Sequence, residues 1–195
     1  AFEKMQAAHI TMKDGDKNLG KDASDEDKVA QEEKRFVWQS VLALLRTLVV
    51  HQDAERIESL VQFCLPWLLD GTRAGAREQK KAYGIVEDIL HAETQQCCRH
   101  VKSNLKRIVK LFTQSSSVAQ TTSRPSRLRS LARLARLLEE TPSSAANKRF
   151  LMSSAGEAVA SIRAAGEKVR EASTALLIVV RSEEHTSELQ SRLHL

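Results

Sequence analysis

Arg127-Leu128-Arg129-Ser130-Leu131-Ala132-Arg133-Leu134-Ala135-Arg136-Leu137-Leu138 is the stretch on which the fold class turns. Leu128, Leu131, Leu134 and Leu138 recur at three- and four-residue steps, which places them on one face of an α-helix. Arg129, Arg133 and Arg136 fall together on the opposite side. Outward from this helix the same period recurs. It predicts segments at about 36–50, 54–69, 75–91, 94–114, 125–140, 146–163 and 166–180, separated by short polar or glycine-containing turns. The second segment carries the stripe Ile57, Leu60, Val61, Cys64, Leu65 and Leu68 and stops at Asp70-Gly71, where a glycine in the left-handed conformation would end the helix.

Composition agrees with helices throughout. Apolar residues make up 42% of the 195 residues and aromatics only 4%, a poor supply for a sandwich or barrel. Seven glycines and three prolines are too few for the turns of an all-β chain. Three cysteines, two of them adjacent, do not make a disulfide framework, and a reducing compartment is expected. No apolar run approaches the ~18 residues of a membrane helix.

The small residues that open the apolar run of alternate helices are Ser40, Ala82, Ser130 and Ala172, at separations of 42, 48 and 42 residues. The third, fourth, seventh and eighth positions after each anchor trace one helical face. They are Ala43, Leu44, Thr47 and Leu48; Ile85, Val86, Ile89 and Leu90; Arg133, Leu134, Leu137 and Leu138; Ala175, Leu176, Val179 and Val180. Thr47 and Arg133 are the breaks. A helix-pair period of about 40–47 residues marks the HEAT and armadillo class. The chain is therefore expected to be all-α, a HEAT/armadillo-like α-solenoid of about three to four helix pairs spanning residues 35–180. A single globular helical bundle is the alternative.

The ends read differently. Residues 1–34 are expected to be a disordered acidic and polar linker, with Asp14, Asp16, Asp22, Asp25, Glu26 and Asp27 among lysines and glycines. Asp14, Asp16 and Asn18 imitate the start of a calcium loop. Leu19 and Asp25 stand where that loop needs glycine and glutamate, so calcium is not expected. The run Arg181-Ser182-Glu183-Glu184-His185-Thr186-Ser187-Glu188-Leu189-Gln190-Ser191 resembles the conceptual translation of a sequencing adapter. Residues 181–195 are accordingly expected to be an assembly artefact, and the start at Ala1 suggests a piece of a longer protein.

The formal net charge of +5 conceals a strong asymmetry. Between Cys97 and Leu138 stand ten basic residues and no acidic one: Arg99, Lys102, Lys106, Arg107, Lys110, Arg124, Arg127, Arg129, Arg133 and Arg136. Arg99, Lys102, Lys106 and Lys110 share about 80° of helix surface, opposite Val101, Leu105, Ile108 and Phe112. If the two basic helices are neighbours, their stripes join into one positive surface. Such a surface suits phosphate through counterion release, without base specificity, or an acidic partner segment. No aromatic interrupts the stripe, so recognition of single strands by base stacking is not expected. The connector at 115–126 reads as a flexible loop, and phosphorylation of Ser123 or Ser126 would lower its charge.

Catalytic and metal readings are weak. His91, Cys97, Cys98 and His100 lack the spacing of a zinc site, and packing cysteines are the better reading. There is no phosphate-binding glycine loop and no nucleophile elbow, and Glu139-Glu140 point to different faces. No enzyme, metal or cofactor is expected.

Gln79-Lys80-Lys81-Ala82-Tyr83 opens one helix, a basic helix follows, and Ser123-Arg124-Pro125-Ser126-Arg127-Leu128 opens another. With Lys168-Val169-Arg170-Glu171-Ala172 downstream, this order resembles the ribosomal RNA-processing protein 12-like family over roughly residues 37–180. The resemblance is to the C-terminal half of a much longer protein. It implies a nuclear and nucleolar HEAT-repeat scaffold that binds pre-ribosomal RNA or particles, acts in ribosomal RNA maturation and subunit export, and meets the nuclear transport machinery. It supplies no catalytic residue. The competing expectation is a protein–protein adaptor or karyopherin-like transport factor without RNA contact.

Overall fold

The computed structural model describes residues 52–193 except 74, 143, 164 and 165, together with positions 26, 29, 30, 32, 33, 36, 37 and 40; beyond Arg181 only the backbone is described. The readings of residues 1–34 and of the first expected helix therefore lie largely outside the described residues, whereas the last helix, expected to end at 180, continues as backbone helix to Leu193. Among the described residues the chain is all-α, with six helices and no strand. They are α1 (Ala54–Leu68), α2 (Ala76–His91), α3 (Gln95–Gln114), α4 (Arg124–Glu139), α5 (Ala145–Ile162) and α6 (Glu167–Leu193).

Local chemistry sets the helix starts. The Asp53 carboxylate accepts the Arg56 amide at 2.9 Å and caps α1, and the Ser144 hydroxyl accepts the Asn147 amide at 3.1 Å to cap α5. Pro125 occupies the first turn of α4, where its missing N–H costs nothing.

The end of α1 differs from expectation. No described glycine has positive φ, so Gly71 is not a left-handed cap. The Leu69 amide instead bonds back to the Leu65 carbonyl at 3.2 Å, and the Asp70 carboxylate accepts the Thr72 amide at 2.9 Å. Gly71 is small for another reason: a Cβ there would lie 3.2 Å from the Val118 side chain, which packs against this turn.

The connector at 115–126 is likewise built rather than loose. Two 3₁₀ turns, Ser116–Val118 and Thr121–Ser123, lead into α4. The fully buried Gln79 of α2 holds them from behind. Its amide donates to the Asp70 carbonyl at 2.9 Å and the Val118 carbonyl at 3.1 Å, and its carbonyl accepts the Gln120 amide at 2.8 Å. One side chain thus satisfies three otherwise orphaned backbone groups. Ser123 is fully buried, so the expectation of an accessible phosphorylation site there is corrected; Ser126 is half-buried.

Alternate helices pack side by side. α4 lies along both α2 and α6, α1 packs on α2 and α3, and α5 packs on α6. The anchors Ala82, Ser130 and Ala172 are all buried in the α2, α4 and α6 row, where small side chains let backbones approach. Of the twelve offset positions on these three helices, only Arg133 and Ala175 are not buried. Ser40 is helical but exposed, its hydroxyl donating to the Phe36 carbonyl. The buried apolar side chains, from Ile57 to Val180, form one continuous core. α3 and α5 pack on their own neighbours rather than on each other, and a groove opens between them.

Candidate functional site

The ten cations separate into three environments. Arg99, Lys102, Lys106, Arg107 and Lys110 are exposed on α3, with Val101, Ile108 and Phe112 buried behind them. The α3 stripe therefore stands at the surface. Two of its members are engaged: Lys102 Nζ meets the Glu140 carboxylate at 3.4 Å, and Arg107 Nη1 meets Glu58 at 2.7 Å. Arg99, Lys106 and Lys110 meet no carboxylate among the described residues.

The arginines of α4 behave differently. Arg129 is clamped by Glu87 of α2, with Nε and Nη2 on the two carboxylate oxygens, and Arg133 Nε donates to the Leu90 carbonyl at 3.1 Å. Both are half-buried, as is Arg124, while Arg136 is exposed. The side chains of Arg129 and Arg133 thus reach back to α2 instead of extending the α3 stripe, which corrects the picture of two stripes joined into one surface.

Arg127 is in the core, 1% exposed. Its guanidinium makes five hydrogen bonds. Nε and Nη2 hold the two Glu157 carboxylate oxygens at 2.7 and 3.0 Å, so this pair joins α4 to α5. Nη1 donates to the Tyr83 and Ser115 hydroxyls at 3.0 and 2.8 Å, and Nη2 also donates to the Phe112 carbonyl at 2.7 Å. The cation also lies 5.8 and 5.5 Å from the ring centroids of Tyr83 and Phe112. Burial works against the charge, but the Glu157 pair and the Tyr83 hydroxyl outweigh it and hold the guanidinium pKa above its ordinary value. Arg127 is therefore withdrawn from the phosphate-contact candidates. It is a cross-brace of α2, α3, α4 and α5.

A cation that the sequence did not single out takes a place beside the α3 stripe. Arg149 of α5 lines the α3–α5 groove, opposite Lys102, Lys106 and Lys110. The groove has a volume of about 1300 Å³, its apolar lining includes Leu105, Val109, Leu138 and Phe150, and no carboxylate lines it. Its sequence signal was faint, a Lys148-Arg149 pair in the first turns of α5, outside the acid-free stretch.

Of the two histidines whose side chains are described, His100 is buried and His91 exposed, and two of the three cysteines are buried. Cys64 and Cys97 are fully buried; Cys98 is half-buried, with its thiol 3.6 Å from the Ala92 carbonyl. Burial pushes the Cys64 thiol up to about 12. His100 is 5% exposed with Nε2 3.7 Å from Glu58, and His91 is exposed with Nδ1 against the Glu87 carbonyl. Desolvation lowers the His100 pKa more than Glu58 raises it, and Arg107 pushes the same way as desolvation.

No helix among the described residues is long and apolar enough to cross a membrane. Compared with protein-family models and with curated proteins, the chain matches none.

Proposed function

We propose that the chain is a HEAT-like helical-repeat scaffold without catalytic activity, acting in ribosome biogenesis and holding pre-ribosomal RNA through the exposed cations of α3. The repeat reading is supported by the packed row of α2, α4 and α6 and by the buried small residues that recur at 48 and 42 residues along it. The assignment to pre-ribosomal RNA processing and subunit export, with nuclear and nucleolar localisation and contact with transport proteins, rests on the resemblance to the ribosomal RNA-processing protein 12-like family. The observation that carries phosphate contact is the trio Arg99, Lys106 and Lys110, exposed and without a carboxylate partner among the described residues, beside a groove that no carboxylate lines. Unneutralised cations on a rigid helix release counterions when they meet a phosphate backbone.

The experiment is the salt dependence of poly(U) and duplex RNA binding by the full chain. Arg99→Glu, Lys106→Glu and Lys110→Glu together remove three contacts and flatten the slope of log K against log salt by about 2 for single strands. Arg129→Gln, a side chain already held by Glu87, leaves the slope unchanged. The apolar floor of the groove favours the second reading, a protein–protein adaptor without RNA contact. Absent or salt-independent RNA binding supports that reading and overturns the first.

A further inference from the structure

The row of α2, α4 and α6 is closed by direct packing of neighbouring helices, but α3 and α5, which pack on members of that row, leave a groove of about 1300 Å³ between them. That exceeds the ~300–1,000 Å³ of a small-molecule pocket. Leu105 and Val109 are half-buried along its wall, Leu138 and Phe150 close its floor, and every charge in its lining is positive.

The spacing of those charges narrows the occupant. Lys102, Lys106 and Lys110 stand one turn apart on α3, about 6 Å per step, and Arg149 lies opposite on α5. Lys102 already meets the Glu140 carboxylate at 3.4 Å, so this border accepts carboxylates. A ligand with one anionic head, such as a fatty acid, meets one end of the row and leaves the rest unmatched. Carboxylates at i and i+4 of a helix repeat at the same step of about 6 Å.

The walls narrow its conformation. Both are helices, whose backbone groups are bonded internally, so an extended peptide would lay unsatisfied N–H and C=O groups on the apolar floor. A helix satisfies its own. A nucleic-acid strand gains from the lysines but not from the floor: the apolar lining is aliphatic apart from Phe150, which at 5% exposure offers a base too little ring to stack on.

We propose that the groove is the docking site for an acidic amphipathic helix of a partner protein. Its apolar side chains seat on Leu105, Val109 and Phe150, and its flanking carboxylates meet Lys106, Lys110 and Arg149. The wall from Lys102 to Gln114 is about 18 Å long and takes about three turns of such a helix. Docking gives the adaptor reading its partner class and does not rest on the RNA reading. The two share Lys106 and Lys110, but Arg99 is not in the groove lining and Arg149 is not in the phosphate trio.

The test measures, by fluorescence anisotropy at ~0.15 M salt, binding of the full chain to a labelled helical peptide of about 15 residues. The peptide carries leucines at i, i+4 and i+7 and glutamates one turn apart beside them. Two control peptides carry glutamine for every glutamate or serine for every leucine. The acidic leucine peptide is expected to bind, and each control to bind about ten-fold more weakly. Arg149→Glu weakens the acidic peptide several-fold, whereas Arg99→Glu changes it by less than about two-fold. Both side chains are exposed, and an unchanged melting curve verifies that the variants fold. The serine peptide binding as tightly as the leucine peptide, with poly(U) displacing both, makes the border a phosphate surface and overturns docking. No binding at millimolar peptide, or binding that Arg149→Glu leaves unchanged, overturns it too. Neither of these last results touches the RNA reading, which the salt slope of the Arg99, Lys106 and Lys110 variant decides separately.

Discussion

Replacing Arg127 by Met removes the side chain by which α4 holds α2, α3 and α5, and its cost can be worked from the structure. The guanidinium and the Glu157 carboxylate are 2% and 19% exposed at a 2.7 Å contact, so screening by water is slight. Deleting one partner of such a pair costs about 3–5 kcal/mol, because the other charge stays in a low-dielectric site. The Phe112 carbonyl keeps only a long 3.4 Å contact from Ser115, whereas the Tyr83 and Ser115 hydroxyls still bond each other at 2.9 Å. The expectation for Arg127→Met is thus about 4 kcal/mol. Glu157→Met alone leaves the buried cation with its neutral acceptors and costs about 3 kcal/mol, while the Arg127→Met/Glu157→Met pair costs only about 1–2 kcal/mol, since a buried ion pair is often replaceable by apolar side chains. The coupling energy is then about −5 to −6 kcal/mol, well beyond the usual spread for neighbours. Urea unfolding followed by circular dichroism reads this as a midpoint shift of about 2 M for the first variant at a slope of about 2 kcal/mol/M. Since whole domains are stable by only about 5–15 kcal/mol, Arg127→Lys, which keeps the charge and loses the fork, gives a milder version at about 2 kcal/mol. A loss below about 1 kcal/mol for Arg127→Met, or strict additivity in the cycle, would refute the cross-brace.

Gln79→Leu leaves the Asp70 and Val118 carbonyls and the Gln120 amide without their shared partner, and should cost about 2–3 kcal/mol and raise amide exchange across residues 115–123. His100 is buried with its pKa below the ordinary 6.5, so the unfolded chain binds its proton first. Its contribution to stability is complete above pH 6.5 and is lost as pH falls from there toward the folded value, an acid loss that His100→Leu should reduce in pH-dependent unfolding. With Cys64 and Cys97 fully buried and Cys98 half-buried, a thiol reagent at pH 8 should label Cys98 first in the folded chain and all three only in urea; rapid labelling of Cys64 would contradict its burial and its pKa near 12.

The helices were legible because their determinants are local. Expected and observed boundaries of α2 through α5 differ by a single residue at most ends, since caps, turn residues and the i, i+3, i+4 stripe lie within a few positions of one another. Where the determinant lies far away in sequence, the local pattern misleads. Residues 115–126 look like a loose polar loop in isolation and are ordered by Gln79, about 40 residues earlier. Gly71 looks like a helix stop and is small because of Val118. Arg127 carries a sequence signal of its burial: it lies four, seven and eleven residues before Leu131, Leu134 and Leu138, on the apolar face rather than among the surface arginines. A charge on that face requires a buried partner.

Sequence by itself determined that this chain is helical, where its helices run, and which stretch is rich in positive charge, because periodicity and composition are properties of neighbouring residues. Tertiary structure decided which of those charges remain available. Glu87 reaches Arg129 across 42 residues and Glu157 reaches Arg127 across 30, while Lys106 and Lys110 find no such partner among the described residues and instead share a groove with Arg149. An arginine's chemistry is the same at each of these places. What differs is the helix packed against it, and that is set by the burial of the whole core rather than by the residues beside it in the chain.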